Sequence, residues 1–103
     1  MKLKTLLETI TTLDVSGQDN PEIEGIAYDS RQVRPGWLFV AVSGHRIDGA
    51  EFITNALSNG AVAVVSENHL ELGRGVVHIQ VPRARRALAE LANAYFGDLS
   101  GQM

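Results

Sequence analysis

The chain has 103 residues, a length typical of one domain, and it contains no cysteine, which excludes disulfides and thiolate metal sites. Its net charge of −3 argues against a nucleic-acid-binding surface, which is normally basic. No apolar stretch approaches the roughly 20 residues needed to cross a membrane, and Glu8 interrupts the N-terminal leucines before they reach signal-peptide length. We therefore expect a single cytoplasmic domain, residues 1–103, with no nucleic-acid or membrane partner.

The first third of the chain predicts a helix followed by two strands. Leucines and an isoleucine recur at helical spacing from Leu3 to Ile10, so that one face of the helix is apolar. A polar loop follows, and then residues 22–28 alternate as a strand does. The Pro35-Gly36 pair predicts a turn, and the continuous apolar run of residues 37–42 predicts a central strand covered on both faces.

The second half predicts a strand–helix–strand unit. Residues 50–59 form an amphipathic helix, and Gly60 stands where a left-handed C-cap is required. Strands are expected over residues 61–65 and 76–81, and a last helix from Pro82 to Gly97. A crossover of this kind joins parallel strands. The predicted fold is therefore α/β, with three α/β/α layers and a mixed, mostly parallel sheet.

The polar loop after the first strand is the first candidate site. If residues 28–31 are extended, side chains alternate, so that Asp29 and Arg31 pair on one side while Tyr28 and Ser30 face a ligand on the other. A serine hydroxyl can donate to a phosphate oxygen, and a tyrosine ring can pack against a base. The alternative is an Asx-type turn with a purely local role.

The loop after the central strand is the second candidate. Residues 44–49 read Gly-His-Arg-Ile-Asp-Gly and lead into a helix whose N-terminus favours anions. Arg46 offers a positive fork to phosphate, and His45 can donate or stack. The alternative is an exposed loop in which Asp48-Gly49 caps the helix. The three histidines are too scattered to predict a metal site.

Together these motifs resemble the N-terminal domain of Mur ligases. The resemblance rests on Tyr28-Asp29-Ser30-Arg31, on Pro35-Gly36-x-Leu38-Phe39-Val40-Ala41, on Gly44-His45-x-x-Asp48-Gly49, and on several shorter matches as far as residue 96. Within the family, the pattern is most similar to the ligases that add the third residue, meso-diaminopimelate or L-lysine, to the UDP-MurNAc-dipeptide of peptidoglycan synthesis. Ala50 departs from the pattern, because many relatives have histidine there.

The resemblance implies that this chain anchors the UDP end of a UDP-MurNAc-peptide, and that it supplies no catalytic group, metal site or cofactor site of its own. The implied substrate contacts are Tyr28, Ser30, His45, Arg46 and Ile47. ATP and Mg²⁺ belong to a central domain of the full ligase, and a C-terminal domain helps to select the incoming amino acid. Consistent with this division, the chain has no Gly-Lys phosphate loop, and its lysines are confined to Lys2 and Lys4.

Two alternatives stay open at this point. One is the ligase that adds D-Ala-D-Ala, whose first domain has a similar Asp-Ser-Arg and Asp-Gly pattern, although Gly44-His45 favours the tripeptide enzyme. The other is a non-enzymatic α/β module that uses the same loops for a protein partner. A phosphate loop shortly downstream in the parent reading frame would favour a ligase over the interaction module.

Overall fold

The computed structural model describes residues 2–17, 20–42, 49–67 and 75–100, and for residues 49–52 and 97–100 it describes the backbone only. The elements in chain order are α1 (Leu3–Leu7), β1 (Asp14–Ser16), β2 (Gly25–Ala27), a short 3-10 helix (Ser30–Gln32), β3 (Trp37–Val40), α2 (Gly49–Ser58), β4 (Ala63–Ser66), β5 (Val77–Gln80) and α3 (Ala84–Ser100).

The strands form one sheet in the order β1-β5-β4-β3-β2. Strands β2 to β5 are parallel to their neighbours, and β1 pairs antiparallel with β5. The mixed, mostly parallel sheet is therefore confirmed. Strand β1 was not predicted, because Asp14-Val15-Ser16 is short and lies at the sheet edge with only partial burial, which leaves no apolar run to read.

Helices α1 and α3 cover one face of the sheet with an aliphatic core. Leu3 and Leu6 of α1 and Leu91 of α3 pack with alternate residues of the strands, such as Leu38 and Ile79. Burying side chains of this size contributes about 1.5–3 kcal/mol each, before the entropy of ordering them is counted. The helical spacing of the leucines thus predicted which face of α1 is buried.

Helix α2 covers the opposite face. Ile53 and Ala56 pack against Phe39 and Val64 of the central strands and against Val33, which follows the 3-10 helix. Phe39 and Leu38 are neighbours in one strand and face opposite layers, as the pleat requires. The three-layer α/β/α architecture is confirmed.

Some predicted bounds were wrong. Helix α3 does not end at Gly97 but continues to Ser100. One glycine in a helix interior costs only about 1 kcal/mol relative to alanine, which a helix of this length tolerates. The predicted strand over residues 22–28 shrinks to β2, and the strand over 37–42 ends at Val40. Among the described residues, no helix is long and apolar enough to span a membrane.

Candidate functional site

Two loops leave the same edge of the sheet. Strands β2 and β3 are parallel neighbours in which Ala27 is opposite Phe39. The segment that starts at Tyr28 and the segment that starts at Ala41 therefore begin side by side, at the carboxyl ends of their strands. In open α/β sheets this is the edge where ligands bind. The parallel pairing of β2 and β3 therefore brings together the starts of the two segments predicted to form the site.

Tyr28 is the most accessible of the predicted residues that the structure describes. It follows β2 directly and is 67% exposed, so most of its large aromatic side chain is accessible to solvent. Its ring is therefore available to pack against a planar group such as a base. This agrees with the predicted position of Tyr28, and its contact with a ligand stays a prediction.

Asp29 and Arg31 form the predicted pair. Arg31 Nη2 donates to Asp29 Oδ2 at 3.0 Å and Arg31 Nε to Asp29 Oδ1 at 3.2 Å, and the Arg31 backbone N–H also donates to Oδ1 at 2.9 Å. These hydrogen bonds from Arg31 lower the pKa of Asp29 below its ordinary value. The Arg31 side chain is largely exposed, so the ion pair itself stabilises the fold little. Its main effect is to cap the turn that follows.

Ser30 is placed differently from the expectation. The backbone is extended only as far as Asp29, with φ −110° and ψ 118°, and Ser30 begins the 3-10 helix because the Asp29 carboxylate caps the Arg31 N–H. The expectation of an extended segment through Arg31 was therefore wrong, and the Asx-type turn given as its alternative is the conformation observed. Ser30 is 2% exposed, and its hydroxyl has no hydrogen-bond partner among the described residues.

The unpaired hydroxyl of Ser30 is a candidate contact for a ligand. A buried polar group without a partner costs about 1–3 kcal/mol relative to one that is hydrogen-bonded. The Ser30 hydroxyl retains both its donor and its acceptor capacity beside the carboxyl edge of the sheet. A ligand oxygen that reached this hydroxyl would satisfy it.

A contact that the sequence did not predict holds this loop against α2. Asn59 Nδ2 donates to the carbonyl oxygen of Ser30 at 2.8 Å, across 29 residues of chain. The only signal in the sequence is the Asn59-Gly60 pair at the end of a helix, which predicts a C-cap but not a partner.

The remaining predicted contacts, His45, Arg46 and Ile47, belong to residues 43–48 and lie outside the described residues. Their role as substrate contacts stays a prediction. His69 also lies outside the described residues.

His78 has a structural environment. It is 1% exposed on β5, and its Nε2 is joined to the Ser66 hydroxyl by a hydrogen bond of 2.7 Å. Within the described part of the chain, no group of three or more His, Asp or Glu side chains could hold a metal ion. Its burial and its hydrogen bond to Ser66 make His78 a core histidine of the α2 side of the sheet.

The arginines at the start of α3 belong to the helix that covers the face of the sheet opposite α2. Arg83 and Arg86 line a cleft between the end of α1 and the start of α3. Arg86 pairs with Glu90, one turn later, at 3.3 Å, and Glu67 accepts from the first N–H of α3, that of Ala84, at 2.8 Å. The carboxylate of Glu67 at the helix N-terminus offsets the unfavourable placement of cations there.

The sequence has clear relatives. It is 47% identical over 95 residues to a UDP-N-acetylmuramoyl-L-alanyl-D-glutamate–2,6-diaminopimelate ligase of Syntrophomonas wolfei, a match that covers 89% of this chain and 19% of the relative. It is 53% identical over 79 residues to a UDP-N-acetylmuramyl-tripeptide synthetase of Roseiflexus, which covers 76% and 16%. The chain thus spans about a fifth of the length of the curated relatives it matches.

Solved structures give the same fold. The UDP-N-acetylmuramoylalanyl-D-glutamyl-2,6-diaminopimelate–D-alanyl-D-alanyl ligase of Acinetobacter baumannii superposes with a TM-score of 0.67 over 84% of this chain and 19% of that chain, at 23% identity, which shows the fold alone. The MurF ligase of Thermotoga maritima, solved in complex with ADP, gives a TM-score of 0.56 at 37% identity over 71% of this chain and 17% of its own.

The family model described as the Mur ligase family, catalytic domain, matches residues 22–96. That range contains β2 and β3, the segments that follow them, and the strand–helix–strand unit from β3 to β4. It also covers well over half of the chain. The chain therefore belongs to the Mur ligase family.

Proposed function

We propose that this chain is the UDP-binding, substrate-anchoring domain of an ATP-dependent ligase that adds the third amino acid, meso-diaminopimelate or L-lysine, to UDP-MurNAc-L-Ala-D-Glu in peptidoglycan biosynthesis. The observation that carries the proposal is the buried, unpaired hydroxyl of Ser30 next to exposed Tyr28, at the carboxyl edge of parallel strands. The names of the relatives supply the substrate class, since several are ligases acting on UDP-N-acetylmuramoyl-L-alanyl-D-glutamate.

The role of such a domain is positional. Tyr28 and Ser30, with His45, Arg46 and Ile47, bind the nucleotide end of a long substrate. The carboxylate at the other end is then held where another domain can activate it. Restricting the reacting carboxylate in this way replaces a collision by an intramolecular encounter. None of these residues is proposed to act as an acid, base or nucleophile.

The residues present do not fit an ATP–Mg²⁺ site. The sequence contains no Gly-Lys phosphate loop, and the described residues hold no cluster of metal-ligating side chains. From the family resemblance we propose that a central domain binds ATP and Mg²⁺, that a C-terminal domain contributes to amino-acid selection, and that the ligase is cytoplasmic. No chemical step is assigned to the residues of this chain.

A second candidate is the ligase that adds D-Ala-D-Ala. It is favoured by the 37% identity to the MurF ligase of Thermotoga maritima, whereas the sequence relatives named above favour the tripeptide enzyme. The full-length ligase separates the two when it is supplied with both UDP-MurNAc-peptides and both amino donors. Addition of D-Ala-D-Ala to the tripeptide substrate, with no addition of a third residue to the dipeptide substrate, would contradict our choice.

The UDP site itself is tested by titrating the ¹⁵N-labelled chain with UDP and recording amide shifts. We expect shifts at Ser30 and over residues 45–47, with Kd on the order of 0.1–1 mM, or about −4 to −5.5 kcal/mol, because the rest of the substrate is absent. ADP is the matched control, since it has the same diphosphate but a different base. The absence of shifts at several millimolar UDP, or shifts confined elsewhere, would contradict the site and favour an interaction module.

A further inference from the structure

The C-terminal end of α2 is closed by a backbone hydrogen-bond motif. The Gly60 N–H donates to the carbonyl of Leu57 at 3.1 Å and the Ala61 N–H to that of Ala56 at 3.0 Å. With Gly60 at φ +106°, this is a Schellman motif in which Asn59 is the C-cap residue. The backbone of Asn59 is thus held by the helix on one side and by the motif on the other. The backbone position from which the Asn59 side chain extends toward Ser30 is therefore fixed.

That side chain holds the carbonyl of Ser30. Asn59 Nδ2 lies 2.8 Å from the Ser30 carbonyl oxygen. The Val33 backbone N–H, which closes the 3-10 turn, donates to the same oxygen at a longer N···O distance of 3.4 Å. The 3-10 helix has only three residues, and such turns have poor hydrogen-bond geometry of their own. The shorter of the two bonds to the Ser30 carbonyl therefore comes from α2.

The same junction holds the other end of the segment. The Gly36 N–H donates to the Gly60 carbonyl at 3.1 Å. Gly60 also packs so closely on Pro35 that a Cβ atom there would lie 2.6 Å from the Pro35 Cα. Asn59 and Gly60 therefore fix both ends of residues 30–36, one end through a side chain and the other through the backbone.

We propose that Asn59 is a positioning residue for nucleotide binding: it holds the Ser30 backbone so that the buried Ser30 hydroxyl points at the ligand. The inference rests on the proposed UDP site, because it assigns a function to the orientation of Ser30. Binding groups work only when they are held close to their productive geometry by supporting contacts. Asn59 acts through Ser30 and is not itself a ligand contact.

The test compares Asn59→Ala with Asn55→Ala in the ¹⁵N-labelled chain. Asn55 is exposed and lies one turn earlier on α2. UDP affinity is measured well below the melting temperature, where both variants are folded, and the melting temperature is recorded separately. We expect Kd to rise about three- to tenfold for Asn59→Ala, as for the loss of one hydrogen bond, and to stay within twofold for Asn55→Ala.

A second variant guards against a fold defect. Asn59→Asp keeps the volume of the side chain but replaces the donor with a carboxylate oxygen, and it should weaken UDP binding at least as much as Asn59→Ala. A merely structural role would lower the melting temperature while leaving the Kd of the folded chain unchanged. That result, or an equal loss in Asn55→Ala, would overturn the inference and leave the UDP site standing. If the unaltered chain binds no UDP, the proposed function fails and the inference fails with it.

Discussion

The two faces of the sheet differ in what they bury. Under α1 and α3, the described core is aliphatic, with leucine, isoleucine, valine and alanine side chains. On the α2 side, the described residues include three buried polar side chains, Ser30, Ser66 and His78. The last two face α2 because they share a face with Val64, as the sheet register requires. Among the described residues, the core under α1 and α3 therefore buries only apolar side chains, whereas the α2 side buries both apolar and polar side chains.

The residues that stabilise the fold most are thus on a different face of the sheet from the candidate binding group Ser30. An aliphatic core is stabilised by every methylene it buries. A buried polar group stabilises only when it is paired, as Ser66 and His78 are with each other. Ser30 Oγ has no partner among the described residues, and it lies beside the proposed nucleotide site. Truncating a side chain of the aliphatic core should therefore lower stability and leave UDP affinity unchanged. Removing the Ser30 hydroxyl should weaken UDP binding and leave stability unchanged.

The largest effect is expected on the aliphatic face. Leu91→Ala removes a side chain that is fully buried against the sheet and should lower the free energy of unfolding by about 2–5 kcal/mol, since a cavity remains. Urea denaturation followed by circular dichroism measures the loss. Leu88→Ala, on the same helix but only partly buried, is the matched control and should cost less. A change of UDP affinity in the folded fraction of Leu91→Ala would break the separation of the two faces.

An intermediate effect is expected at the junction that supports the binding loop. Gly60→Ala places a Cβ atom against the Pro35 backbone in addition to a left-handed φ of +106°. We expect a loss of about 2 kcal/mol or more in the free energy of unfolding, because the left-handed conformation alone costs about 1–2 kcal/mol. Gly75→Ala separates the terms, since Gly75 has φ +85° and open space around it. Equal losses in the two variants would show that the contact with Pro35 contributes nothing.

The smallest effect on stability is expected at Ser30. Ser30→Ala removes a hydroxyl that has no partner among the described residues, so the free energy of unfolding should stay the same or rise by up to about 1 kcal/mol. UDP binding should weaken about three- to tenfold for the same hydrogen-bond reason. Thermal melts and the UDP titration measure the two quantities. A clear fall in stability would indicate that the hydroxyl is paired in the folded chain and has a structural role.

Local patterns predicted much of this molecule. The three helices, four of the strands and the Gly60 C-cap all followed from periodicity and turn residues within about ten positions. The Asp29–Arg31 pair was predictable for the same reason, since the two residues are only two apart. At Ser30 the alternation of side chains predicted an extended segment, whereas the structure has the alternative Asx-type turn, because the Asp29 carboxylate accepts the Arg31 N–H. Short-range competition between a side chain and the backbone is weakly visible in a residue pattern.

By itself, the sequence determined the layered α/β fold and the glycine-terminated end of α2, because hydrophobic spacing and glycine placement act locally. Tertiary structure alone decided three further features. These are the addition of β1 to the sheet edge, where Ser16 lies opposite His78, the burial of Ser30, and the hydrogen bond from Asn59 to its carbonyl. Each joins residues that are distant in the chain, and only the closure of the fold brings such partners together.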